Sequence, residues 1–311
     1  MRKLLQRLAF GLYRLFERAG LHVLPVHYYS AQPSTRELEA NREVWARRSE
    51  LPGIDADLDR QVERLREICL PHREETAGNA VYRHAAERGF GPGYGYIEAQ
   101  ALHAVVRHFR PRRVVEVGSG VSTWCLRHAL RKNAEEHGRE FRLTCVEPFP
   151  SQALRRMEGI ELLEQPVQEL DPEGVFAELG EGDLLFVDSS HTVKPGSDVD
   201  FLVLEVWPRL RPGVVVHVHD IYLPYDYAPN TLQTFFHWTE TALVRAFLTH
   251  NPHARVLFCQ SQLHDARPEA LRDVHPEYEP ARHVDGLVGD EVRPFEAPAG
   301  HFPASLYFQV V

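Results

Sequence analysis

No run of 18 apolar residues occurs in the 311-residue chain, so nothing in it predicts a membrane-spanning helix. Cysteine is scarce, and Cys69, Cys125, Cys145 and Cys259 stand apart without CxxC spacing. Three of them sit in apolar runs and read as small buried hydrophobes in a reducing compartment. A disulfide framework is therefore not expected, and a cytoplasmic location is. Basic charge is also short. Against 44 Asp and Glu there are 35 Lys and Arg, a formal net charge of -9, which argues against a nucleic-acid partner. There is no internal repeat, no low-complexity tract and no GxxxxGK[ST] phosphate loop.

What is present is an ordinary globular composition, 43% hydrophobic and 25% charged, with length for one large domain and an appendage. The chain opens with "MRKLLQRLAFGLYRLFERAG". Arginines at 7, 14 and 18 interrupt its apolar run and no small-residue cleavage site follows, so it does not read as a signal peptide. Leu4, Leu8, Leu12, Leu15 and Ala19 share one helical face flanked by Leu5 and Phe16, with Lys3, Arg7, Arg14 and Arg18 opposite. A basic amphipathic helix over 2–19 suits packing on its own protein, a contact with a second copy, or a peripheral position on an anionic membrane. Residues 1–75 are expected to form a helical cap, in which "PVHYYSAQP" (25–33) serves as part of a lid.

From Arg112 onward, short β-branched runs alternate with helical stretches. The runs are "RRVVEVG" (112–118), "FRLTCVEP" (141–148), "IELLEQPV" (160–167), "DLLFVDSS" (183–190), "GVVVHVHD" (213–220), "ARVLFCQ" (254–260) and "SLYFQVV" (305–311). Near-continuous apolar strands between helices predict an α/β fold with a mostly parallel sheet covered on both faces. A helix is expected at 97–109 after the Gly-rich "GFGPGYGY" (89–96). Prolines crowd 261–304, which predicts an irregular insertion with one short helix near Pro268 to Val274. "FFHWTETALVRAFL" (235–248) reads as a core helix, with Trp238 packing rather than meeting a ligand.

"VVEVGSGVSTW" sets Gly118 and Gly120 directly after the first strand, where backbone can approach a ligand closely. Val121, Ser122 and Thr123 follow in place of the third glycine of a dinucleotide fingerprint, so a pyrophosphate is disfavoured. Glu116 at the end of that strand repels phosphate and suits an ammonium group. Glu147 ends the second strand, where a carboxylate can accept from two ribose hydroxyls. Ammonium plus ribose without phosphate describes S-adenosylmethionine.

The motifs "VVEVGSGVST", "CVEPFP", "LFVDSSH" and "LRPGVVVHVHDIYLP" resemble the successive motifs of class I S-adenosylmethionine-dependent methyltransferases. The branch they resemble holds macrocin-type O-methyltransferases and cephalosporin-hydroxylase-like proteins. The likeness covers about 95–260 and the final strand. It implies a Rossmann-like seven-stranded sheet in the order 3-2-1-4-5-7-6, forming a methyltransferase domain over 76–311. It further implies that Glu116, Gly118, Ser119 and Gly120 hold the methionine part, that Glu147 holds the ribose, and that Val167 and Gln168 flank the adenine.

Asp188 and Asp220 then end neighbouring strands, close enough for two carboxylates to need a shared proton or a cation. The branch carries three carboxylates on magnesium, but here the strand-five pair reads His219-Asp220, and His191 follows Asp188. Asp188, His219 and Asp220 with a second imidazole suit Mn²⁺, Fe²⁺ or Zn²⁺ better than Mg²⁺. The alternative is His219 or His191 as a general base with Asp220. His217 reads as a buried, satisfied histidine, and Tyr222, Tyr225 and Tyr227 as walls of an acceptor pocket, with packing the equal alternative for two of them. The expectation is methyl transfer to a hydroxyl, or less readily an amine, of a small polar acceptor. Two other readings keep the fold: a metal-dependent hydroxylase-like enzyme, and a non-catalytic S-adenosylmethionine-binding scaffold.

Overall fold

The computed structural model of the protein describes residues 2–91, 93–294 and 296–311, without the side chains of residues 2, 4 and 5. The chain divides into two units, residues 1–46 and 47–311.

The first unit holds helices Arg2–Arg18, Thr35–Ala40 and Arg42–Trp45. Ser34 starts the second of these by accepting a hydrogen bond from Glu37 N, as a capping serine does. Along the first helix Leu8, Leu12 and Leu15 are exposed, as are Val26, Tyr28 and Tyr29 beyond it. Leu4 and Leu5, assigned by sequence to the same apolar face, lie outside the described side chains.

The second unit is built on seven strands: β1 (Arg113–Val117), β2 (Arg142–Val146), β3 (Glu161–Leu163), β4 (Leu184–Val187), β5 (Val215–Val218), β6 (Ala254–Cys259) and β7 (Leu306–Val310). Their order is β3-β2-β1-β4-β5-β7-β6. β7 runs antiparallel to both its neighbours and the remaining pairs are parallel. This is the Rossmann-like sheet expected from the sequence.

Side-chain alternation explains why the strands read as unbroken apolar runs. In β4, Leu184 and Phe186 face one core while Leu185 and Val187 face the other. The first core is covered by helices Tyr96–Phe109 and Val121–His137. Leu65, Ile68 and Cys69 of helix Leu58–Cys69, which the sequence reading counts with the cap, are also buried there. The second core takes Val199, Val203 and Trp207 of the segment after β4, with Val244 and Leu248 of helix Glu240–Leu248.

Two expectations need correction. The stretch after β6 carries two short helices, Gln260–Ala266 and Pro268–Val274, where one was expected; the first grows directly out of β6. The helix expected over 235–248 begins only at Glu240, and 235–239 is irregular, so Trp238 is free of helical packing.

Candidate functional site

Parallel strands present their carboxyl ends on one edge, and backbone hydrogen bonds fasten that edge. Gly118 N donates to Val146 O, Asp188 N to Val117 O and His219 N to Val187 O, at 3.0, 2.9 and 2.9 Å. A cleft of about 460 Å³ opens above β1, β2 and β4. Gly118, Glu147, Phe149, Val167, Gln168, Asp188 and Ser189 line it.

Glu147 sits at the cleft mouth. Its Oε2 accepts from Ser119 N at 3.1 Å and its Oε1 from Phe149 N at 2.8 Å. A carboxylate has about four acceptor positions, so two backbone donors fix its orientation and leave capacity for a ligand's hydroxyls. Val167 is buried and Gln168 exposed on the short turn Val167–Glu169, which edges the same cleft. Ser189 Oγ is buried beside the cleft with no hydrogen-bond partner among the described residues. The size, the carboxylate and the unpaired hydroxyl fit a nucleoside-bearing ligand.

Glu116 is placed differently from the sequence expectation. It is fully buried, and its oxygens accept from Ser122 Oγ at 2.8 Å and Thr123 Oγ1 at 2.6 Å. Burial pushes its carboxyl up to about 7, against those donors. It ties the start of helix Val121–His137 to the end of β1, and it has no face open to a methionine group. Ser119 and Gly120 complete the turn; Gly120 N donates to Thr123 Oγ1 at 3.0 Å.

Beside the cleft lies a second group. Asp188, His191, His219 and Asp220 each offer a donor atom within 4.8 Å of the others. Because Val187 pairs with Val218, Asp188 stands level with His219, one residue before Asp220. Asp220 reaches back because its backbone is left-handed, φ 54°. His191 also has a left-handed backbone, φ 56°, and its carbonyl accepts from Thr239 N and Glu240 N at 2.9 and 3.2 Å. His219 Nδ1 lies 3.2 Å from Asp188 Oδ1 and 3.5 Å from Asp220 Oδ2; His191 Nε2 lies 3.3 and 3.4 Å from the same two oxygens. The donor set of two imidazoles and two carboxylates fits a divalent cation.

Two residues of this site are missing from the sequence reading. Glu240 is 1% exposed, with Oε2 2.8 Å from His191 Nδ1. Glu98, also buried, accepts from Ala304 N at 3.1 Å and lies 3.9 Å from His219 Nε2. The available signal was a lone acid in the first turn of each of two mostly apolar helices.

The aromatics divide. Tyr222 donates to Asp220 Oδ1 at 2.8 Å and belongs to the site. Tyr225 and Tyr227 donate instead to Asp265 Oδ1 and Asp285 O, and their rings meet each other, so these two are the packing pair of the alternative reading. Trp238 packs, as expected, against the buried Tyr222, Ala228 and Ala304, and its ring also lies 4.8 Å from that of His191. His217 is fully buried, stacked on Phe186 and bonded through Nε2 to Tyr94 and Ser305, as a structural histidine. Burial holds it well below the usual imidazole range.

Charge within the cluster has a direction. Burial opposes ionisation of Asp188, but His219 and His191 outweigh it and hold the carboxyl well below the usual range. Burial likewise opposes protonation of His219, yet Asp220, Asp188 and Glu98 raise it to about 9. His191 lies well above the usual range, with Asp188 and Glu240 outweighing burial. A raised imidazole stabilises the fold fully below its unfolded value of 6.5 and loses that contribution as pH rises through about 9. A lowered carboxyl stabilises above its unfolded value of 3.8 and loses this only at lower pH. Cation-free protein should therefore lose stability between pH 6.5 and 9, and His219→Gln should flatten that slope. Denaturant melts across the range test it; an equal slope in the variant removes His219 as its source.

A methyltransferase-domain family model matches residues 115–221, which span β1 to the end of β5 and carry the cleft and the cluster. An uncharacterized protein of Archaeoglobus fulgidus is 30% identical over 159 residues, 47% of this chain and 69% of that protein. Residues 115–221 carry a methyltransferase domain. Among solved structures, this methyltransferase is similar to the SAH-bound methyltransferase PaMTH1 of Podospora anserina. That match has 15% identity over 76% of this chain and 92% of the other, with a TM-score of 0.37. It is also similar to the MycE methyltransferase of the mycinamycin biosynthetic pathway in complex with Mg, SAH and mycinamycin VI. There the identity is 17%, the shares 54% and 50%, and the TM-score 0.31.

Proposed function

We propose that this methyltransferase transfers the methyl group of S-adenosylmethionine to a hydroxyl oxygen of a small polar acceptor, with a divalent cation assisting. The observation that carries the reading is the position of Asp188, which lines the cleft and belongs to the imidazole–carboxylate cluster. One side chain thus joins the place suited to the methyl donor with the place suited to hold a hydroxyl. S-adenosylmethionine supplies an activated methyl group; the remaining work is alignment and removal of one proton.

Glu147 orients the ribose, while Val167 and Gln168 border the adenine. Gly118, Ser119 and Gly120 shape the turn at the methionine end, with Glu116 bracing it from below. Asp188, His219 and Asp220 would ligate the cation, which brings an acceptor hydroxyl close and favours its oxyanion. Without a cation, His219 Nδ1 or His191 Nε2 lies beside the hydroxyl proton but accepts it only where pH approaches the raised imidazole range, about 9 for His219. Tyr222 and Trp238 border the same space.

Replacing Glu147 by Ala is expected to weaken S-adenosylhomocysteine binding by about 1.5–3 kcal/mol, the range for hydrogen bonds to a charged group. Calorimetry on both proteins measures it. Absence of binding by the wild type would end the methyl-transfer reading. Equal affinities would remove Glu147 from the ribose site.

A further inference from the structure

Each imidazole of the cluster has an inner and an outer nitrogen. The inner ones, His191 Nε2 and His219 Nδ1, face Asp188 and Asp220 at 3.2 to 3.5 Å. The outer ones face two further carboxylates, Glu240 at 2.8 Å and Glu98 at 3.9 Å. Both glutamates are buried, and Glu240 Oε1 has no hydrogen-bond partner among the described residues. Burying a carboxylate is costly unless a partner compensates it. For Glu240 that side-chain partner is His191.

A carboxylate hydrogen-bonded behind an imidazole, as Glu240 is behind His191, fixes its tautomer, aims its other nitrogen and makes that nitrogen a stronger donor, whereas Glu98 at 3.9 Å acts on His219 through its charge. Such a backing has no use for Mg²⁺, which takes oxygen ligands, and is useful to a transition-metal dication, which takes nitrogen readily. Charge favours a dication of either kind. Asp188, Asp220, Glu98 and Glu240 place four carboxylates around two imidazoles, an excess that a dication reduces.

We propose that the site takes a transition-metal dication in preference to Mg²⁺, bound by His191, His219, Asp188 and Asp220, that Glu240 is the positioning residue behind His191, and that Glu98 adds negative charge beside His219. This deepens the divalent-cation part of the proposed function and does not depend on the identity of the acceptor.

The test is a titration of the chelator-treated full chain with Co²⁺, Mn²⁺ and Mg²⁺, read by calorimetry and by the visible absorption of bound Co²⁺. S-adenosylhomocysteine binding, measured alongside, reports folding. Co²⁺ is expected to bind on the order of 100-fold tighter than Mg²⁺ or better. Glu240→Leu and Glu98→Leu should each weaken Co²⁺ by about 10–100-fold and shift its spectrum. Glu240→Gln, which keeps an acceptor for His191 Nδ1, should recover part of the loss. A leucine variant that no longer folds is replaced by the glutamine variant at the same position, where some loss of Co²⁺ affinity is still expected. Mg²⁺ binding as tightly as Co²⁺, or folded Glu240 and Glu98 variants binding Co²⁺ like the wild type, would overturn the proposal. Failure of the wild type to bind S-adenosylhomocysteine would strike the methyl-transfer reading instead and leave the metal result standing.

Discussion

Asp220→Asn is expected to lower turnover by about 10²- to 10⁴-fold, the span of a lost proton-transfer or charge-stabilising group, while S-adenosylhomocysteine affinity stays within a few-fold. Asn keeps the size of the side chain and an acceptor for Tyr222, which donates to Oδ1 at 2.8 Å. It removes the negative charge facing His191 and His219 at 3.4 and 3.5 Å. The cleft loses nothing, because Asp188 lines it and Asp220 does not. Turnover is read as release of S-adenosylhomocysteine with whichever hydroxyl acceptor a screen with labelled donor returns. Chelator should inhibit the wild type, and one divalent ion should restore activity better than others. Full activity in excess EDTA would remove the cation and leave an imidazole base. Unchanged activity in Asp220→Asn would remove both, leaving the strand end as a polar cap on the sheet.

The strands were legible because parallel strands buried on both faces read as plain apolar runs; "RRVVEVG" and "DLLFVDSS" each contain the strand that forms. Asp188, His219 and Asp220 were legible for the same reason, since a polar residue ending such a run must stand on the edge of the sheet. His191 could be suspected from its spacing, yet only the left-handed backbone at that residue turns it inward.

Glu98 and Glu240 were not legible as site residues. An acid in the first turn of a helix has an ordinary explanation in the helix dipole, and its burial depends on what packs above it. Glu116 failed in the opposite sense. An acid beside a glycine turn suggests a ligand contact, but Ser122 and Thr123, in the first turn of the next helix, take its oxygens first. The start of the helix expected over 235–248 was misread through period alone. The helical pattern of 235–248 is continuous in sequence, while the chain starts its helix at Glu240, where Glu240 N and its side chain both bind His191.

Gly118→Ala is expected to destabilise the protein by on the order of 3–5 kcal/mol, or to prevent folding, which is far beyond an ordinary substitution. Two costs add. The residue has φ 79°, a left-handed backbone that an L side chain adopts at roughly 1–2 kcal/mol. A Cβ there would also strike the carbonyl of Asp188, which is backbone and cannot swing aside. Relief would require β1 and β4 to part at the point where Asp188 N donates to Val117 O at 2.9 Å. Gly138 provides the comparison: it too is left-handed, φ 63°, but nothing lies within 4 Å of its missing Cβ. Gly138→Ala should then cost only about 1–2 kcal/mol. Denaturant unfolding of the two variants separates strain from collision. Equal losses would mean that the backbone at Gly118 relaxes freely, and that the close approach of the β1 turn to Asp188 does not fix the distance between cleft and cluster.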